Sequence, residues 1–317
     1  MSASVIRRLG WALITALVAS IVAFLLFWTI PNVDPEFQLG GGVRGTDETR
    51  AEAVEEYGLD ESLPVQYVRV MTGIFDGSAS CFQGCDSVRS AFFDALPVTL
   101  SLVAGAAVLS IGGGVFLALV CVRFKGRWPD RVVSTAATAA YSVPSLVLSA
   151  VLWAFLAQKW RIFPYEGYVP LTEDPAGWAW HLLLPWIAAA LPFMGAYTHI
   201  VRTSLLQVSE ADWVRTARAK GLGEKTVLRS HMLRNAVVPP MNIWGLDFSH
   251  AFGGFALYVE VIFGLPGIGA FMASSLDALD LAPIVGLATF IAIVVVLVSV
   301  AIDIAAARLD PRIDGTR

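Results

Sequence analysis

The chain has 317 residues, 56% of them hydrophobic and 15% charged, with a formal net charge of −4 and a mean hydropathy of +0.66. A soluble domain carries about 25% charged residues, so a water-soluble core is excluded and lipid must solvate much of the surface. With so small a net charge, the positions of the charges carry more information than their sum.

Six stretches reach the roughly 20 apolar residues that a bilayer-crossing helix needs. Helix is the form each must take, because lipid leaves the backbone of an open strand without partners. The first runs from Leu9 to Ile30 behind Arg7 and Arg8. It is longer than the apolar region of a secretory signal and has no small-residue cleavage site after it, so it reads as a retained helix. The segment from Pro31 to Asp94 follows, with twelve Asp and Glu against four Arg. Its helix-favouring middle, Thr46 to Tyr57, suggests a small acidic cap. Cys81 and Cys85 lie in this segment, either as a short disulfide in an oxidising compartment or as two thiols.

The second span runs from Ala95 to Val122 and includes Cys121; the third runs from Val132 to Gln158 and contains Pro144. The fourth, Leu182 to Val201, carries His199, and Pro185 and Pro192 are points where it can kink. The fifth, Ala236 to Val259, carries Asp247 and His250, three residues apart and so on one helical face. Ionisable groups in lipid are expensive and face a cavity or a partner. The two therefore either line a cavity that meets a charged substrate, such as a peptide terminus, or pair for structure. Gly253, Gly254 and the Gly264 to Gly269 turn favour close packing. The sixth span is Leu281 to Ile302.

Lys and Arg set the orientation. Counted from the N-terminus, the odd segments between spans hold 16 of the 22 cations, and the even ones hold only Arg44, Arg50, Arg69, Arg89, Lys159 and Arg161. Both termini and the basic segment between spans four and five are thus expected in the cytoplasm, and the acidic cap outside. Division at residue 94 gives an N-terminal helix plus acidic segment (1–94) and a five-helix core (95–317).

The hydrophilic segment from Glu210 to Pro240 reads EADWVRTARAKGLGEKTVLRSHMLRNAVVPP. Helix formers dominate Trp213 to Lys220, Gly221 and Gly223 interrupt them, and Glu224 to Asn235 can form a second helix. Two short helices around a glycine elbow make a knob suited to a cleft in a soluble partner. On charge alone the segment is also an ordinary basic loop. The order of its residues resembles the coupling loop of ABC importer permeases of the peptide, oligopeptide and nickel branch. Asp212, Val214, Arg215, Thr216, Ala217, Arg218, Ala219, Lys220, Gly221 and Leu222 stand in that order, followed by His231, Leu233, Arg234, Asn235, Ala236 and Pro239. Trp213 replaces a tyrosine. Further matches are Tyr57 to Asp60, Pro64 to Tyr67, Trp160 with Phe163 and Pro164, Arg202, Glu260 with Phe263, Pro266, Gly267 and Gly269, and Leu309 to Arg312. The stretch from Cys81 to Ser87 departs from the family pattern.

The resemblance implies an all-α polytopic fold of the type I importer permease kind with six transmembrane helices, in a bacterial inner membrane. It implies a translocation path for di- or oligopeptides, although relatives carry nickel, glutathione or sugars. Implied partners are two ATPase subunits, a second similar permease, an external substrate-binding protein and membrane lipid. The knob at 210–235, with Arg215 to Leu222 at its elbow, would sit in a groove of an ATPase: Ala217 and Ala219 for close approach, Arg215, Arg218 and Lys220 for acidic groups there. No phosphate-cradling G-x-x-x-x-G-K-[ST] occurs, nor H-E-x-x-H or G-x-S-x-G. The chain is therefore expected to bind no cofactor or metal and to leave ATP to its partners. The basic segment is short and lies against the membrane, which argues against nucleic acid. A membrane enzyme using Asp247 and His250, or a scaffold, would not need the elbow motif.

Overall fold

Apolar runs of this length satisfy their backbone groups internally only as helices, and the described residues contain helices and turns but no strand. The computed structural model describes residues 2–29, 46–48, 51, 54, 58–81, 85–236, 240, 243, 244, 247, 251 and 254–309. The helices are α1 (Ser2–Thr29), α2 (Leu63–Asp76), α3 (Val88–Arg123), α4 (Trp128–Ser142), α5 (Ser145–Leu152), α6 (Pro175–Ser209), α7 (Asp212–Ala219), α8 (Glu224–Thr226), α9 (Phe255–Phe263), α10 (Ile268–Asp277) and α11 (Leu281–Leu309). α5 continues through π-helical turns over Trp153–Lys159. α8 continues through π-helical turns over Val227–Leu233 into Arg234–Ala236.

The expected all-α architecture is what the chain adopts, but the number of spans is approximate. Among the described residues, α3, α6 and α11 are long and apolar enough to cross a membrane, and two bent pairs raise the number to as many as five. α1 adds a shorter apolar stretch over Leu13–Leu26. The third expected span, Val132 to Gln158, is not one rod: α4 and the helix over Ser145–Lys159 meet at 100°. Pro144 is the cause. It has no N–H to donate, and its ring pushes Val143 into extended backbone (φ −93, ψ 125). Most of the fifth expected span lies outside the described residues. Its described end runs past Val259 to Phe263, where Gly264 (φ 61) stops α9. The expected helical middle of the acidic cap, Thr46 to Tyr57, also lies largely outside them.

The chain forms two compact units, residues 1–99 with 266–300, and 100–265 with 301–317. In the first, α1 buries Ala16, Ser20 and Phe24, and α2 buries Gln66, Val70 and Ile74. Both sets have four-residue spacing and so form single stripes. Phe24, Val70 and Ile74 from these stripes join Val88, Phe92, Leu281, Val285 and Phe290 in one core. Phe92 stacks on Phe290 with centroids 4.7 Å apart, and Tyr67 reaches Ser20, with the two hydroxyls 2.7 Å apart. The same unit joins Cys81 and Cys85 in a disulfide, their Cα atoms 5.0 Å apart.

The second unit is built on α6. A Cβ at Gly195 of α6 would lie 2.3 Å from the Ala137 carbonyl of α4, so only glycine lets these backbones approach so closely. At the far end of α6, Val201 and Leu205 enter a core with Ala118, Val214, Ala217, Val227, Met232 and Ala236. That core seats the elbow.

Candidate functional site

α7 is short, and its sequence alternates inward and outward positions at helical spacing. Val214 and Ala217, three residues apart, are buried against the end of α6 and the turns of Val227 and Met232. Asp212 sits in the first turn and Arg218 in the last, each favourable to the helix dipole. The helix ends through Gly221, whose N–H donates to the Arg218 carbonyl at 2.9 Å, and Leu222, whose N–H reaches the Ala217 carbonyl at 3.3 Å. Gly221 has φ +76, and a Cβ placed there would meet nothing within 4 Å. The requirement for glycine is therefore one of backbone angle, not of space. Gly223 then adopts φ −60, ψ 141 and starts α8.

Arg218 locks the elbow from one side. Its Nη2 donates to Glu224 Oε1 at 2.8 Å and its Nε to Oε2 at 3.2 Å, a two-pronged bond across the turn. Its Nη1 also donates to the Ser209 carbonyl at 3.4 Å. The hydrogen bonds from Arg218 hold the Glu224 carboxyl below the ordinary glutamate range. Arg215 lies 3.7 Å from Asp212, with both side chains largely in the open.

Of the eight residues expected at the elbow, the structure therefore turns Ala217 inward and engages Arg218 with Glu224. Ala217 packs the knob from beneath. Arg215, Thr216, Ala219, Lys220, Gly221 and Leu222 remain on the outer surface. Two large apolar side chains of the elbow, Trp213 at 55% exposure and Leu222 at 40%, are also left in the open.

A second polar arrangement braces α6. Asp130 is 5% exposed, and both of its oxygens take 3.1 Å hydrogen bonds from Arg202. It also accepts from the Gly126 N–H at 2.9 Å. The turn after α3 is thereby fastened to α6. Sequence reading passed over this acid; the available signal was that Asp130 is the only carboxylate between Arg123 and Arg131.

Asp247 lies on a cleft with Phe193, Tyr197, Trp244 and Phe255 among its walls. Tyr197 donates its hydroxyl proton to Asp247 Oδ2 at 2.9 Å. The ring of Tyr197 meets Trp244 edge-on at 5.9 Å, and Phe193 stands 5.3 Å from Phe255. The Trp244 indole N–H is buried without an acceptor. His250 lies outside the described residues. His199 pairs with Thr138 at 3.0 Å. Among the described residues no group of three or more His, Cys, Asp and Glu could hold a metal.

The family described as binding-protein-dependent transport system inner membrane component matches residues 110–315, and the N-terminal region of such membrane components matches residues 1–103. A probable peptide ABC transporter permease protein y4tP of Sinorhizobium fredii is 32% identical over 99% of both chains. The dipeptide transport system permease protein DppB of Bacillus subtilis is 28% identical over 99% of this chain and 98% of its own. The glutathione transport system permease protein GsiC of Salmonella paratyphi A is also 28% identical, over 98% of each. Among solved structures, an amino acid ABC transporter crystallised with histidines aligns with 69% of this chain and 94% of its own, at a TM-score of 0.52 and 17% identity, a likeness of fold. With both family regions matched along nearly its whole length, the chain belongs to the binding-protein-dependent transport system inner membrane components, the permeases of ABC transporters.

Proposed function

We propose that this permease forms part of a path for di- or oligopeptides across a bacterial inner membrane and takes its driving force through the elbow at 212–236. The peptide assignment rests on the similarity to relatives named as peptide and dipeptide permeases. Its termini and elbow face the cytoplasm, where the excess of Lys and Arg belongs. Two separate ATPase subunits bind the ATP, a second similar permease completes the path, and an external binding protein delivers the cargo. The cleft at Asp247 belongs to that path.

One observation carries the coupling role. The elbow has its own buried core yet leaves Trp213, Arg215, Lys220 and Leu222 on its outer face. A knob supported from within, with apolar and basic side chains on its free face, transmits force as a unit instead of yielding as a loop. Ridge contacts of this kind suit a groove with apolar walls and acidic edges. Movement of the groove as ATP is bound and hydrolysed would reach α6 through Val214 and Ala217, which pack on Leu205 and its neighbours.

The test is Gly221→Val. The left-handed angle costs an L-residue about 1–2 kcal/mol, and a β-branched one is the least tolerant. The variant should reach the membrane at normal levels and lose most ATP-driven peptide uptake. Gly221→Asn, which accepts this angle more readily, should retain much of it. Normal uptake by Gly221→Val would remove the elbow from the coupling path.

A further inference from the structure

The cleft in the second unit holds a carboxylate, Asp247, that no salt bridge neutralises among the described residues. Asp247 takes one hydrogen bond, from the neutral Tyr197 hydroxyl, and no cation pairs with it among the described residues. A carboxylate in an apolar segment costs several kcal/mol unless compensated. A hydroxyl orients it but does not neutralise it. Four aromatic side chains, Phe193, Tyr197, Trp244 and Phe255, stand among the cleft's mostly aliphatic walls. Their contacts form a chain, Trp244 to Tyr197 to Phe193 to Phe255, with centroids 5.9, 6.4 and 5.3 Å apart. Aromatic faces attract cations and repel anions. Carboxylate and rings therefore select the same sign of charge.

We infer that Asp247, oriented by Tyr197 in the cleft that these rings help to line, is a transit subsite for the N-terminal ammonium of the cargo. This deepens the peptide-transport reading by naming which end of the peptide the membrane path holds. The C-terminal carboxylate would be repelled by both Asp247 and the ring faces. A metal ion is a poor fit, because the cleft supplies one carboxylate and no nearby His or Cys ligand among the described residues. The geometry also suits passage better than storage: one carboxylate with part of its capacity already taken by Tyr197 gives a weak site that a moving cargo can leave. The buried Trp244 N–H, which lacks an acceptor, supplies a donor in the same wall for a carbonyl of the arriving chain once the wall opens.

The test uses the membrane complex of both permeases and the ATPases in lipid nanodiscs, without the external binding protein. Two probes are compared by saturation-transfer NMR: trialanine amide, which carries only the ammonium charge, and N-acetyl-trialanine amide, which carries none. The wild-type complex should prefer the charged probe, and Asp247→Asn should reduce that preference about tenfold. Asp247→Glu, which keeps the charge, should restore most of it, and Tyr197→Phe should lower it by a smaller factor. Equal binding of the two probes by the wild type overturns the inference, as does an unchanged preference in Asp247→Asn. ATP-driven uptake measured on reconstituted wild-type complex with its binding protein separates the two levels. Failure there sinks the transport reading, whereas the probe preference judges the subsite alone.

Discussion

The elbow and the α4–α6 seam each contain an arginine that grips a carboxylate with two prongs, yet their surroundings differ. The side chains of Arg218 and Glu224 stand 40% and 52% exposed, whereas those of Arg202 and Asp130 are 28% and 7% exposed. At the elbow, water can replace either partner. At the seam, Asp130 is enclosed and also fixes the Gly126 turn. The same bond is therefore an adjustment in one place and a structural requirement in the other. What distinguishes them is the cost of leaving a charge alone, not the strength of the attraction.

The largest expected effect breaks the seam. Arg202→Ala should destabilise the purified protein by about 3 kcal/mol, because it leaves Asp130 enclosed and unpaired. Thermal unfolding in detergent measures this, and pairing the change with Asp130→Asn should recover a large part. If the single and double variants melt alike, the seam is no more demanding than the elbow. Next in size is Gly195→Val, which drives a side chain into the Ala137 carbonyl and should cost about 1–3 kcal/mol in the same assay. The smallest effect belongs to the elbow: Glu224→Gln should cost about 0.5 kcal/mol.

That last pair has a pH signature. The Glu224 carboxyl is held below its ordinary range in the folded chain, so its contribution is complete above the unfolded value of about 4.3. It fades as the pH falls through the lower folded value. A stability difference between wild type and Glu224→Gln should thus be present at neutral pH and shrink under acid. A difference that grew on acidification would contradict the pairing.

The elbow could be read from sequence because its determinants are local. Gly221, Gly223 and the helix formers on either side announce two helices and a turn, and those are the elements found. Pro144 likewise marked a place where the third span could break, and there the helix turns by 100°. Contacts between distant residues were illegible. Asp130 and Arg202 are 72 positions apart, and although Arg202 fitted the family pattern, nothing in the sequence paired it with Asp130. The inward turn of Ala217 depends on Val227 and Met232, which sequence does not place beside it. Tyr197 gave no sign of its bond to Asp247, because a tyrosine in an apolar helix looks like packing. The amphipathic α2 was also missed: its four-residue stripe of Gln66, Val70 and Ile74 includes a polar member, which blurred the period.

The sharp corner at Val143 and Pro144 has a consequence for hydration. A helix that stops and restarts leaves its final carbonyls and first amides outside the regular ladder; here Val143 makes only a short-range 3.4 Å bond to Ala140. Hydrocarbon offers such groups nothing. This level of the permease must therefore be wetted or roofed by other protein, and its amides should exchange deuterium well ahead of those in the uninterrupted middle of α6.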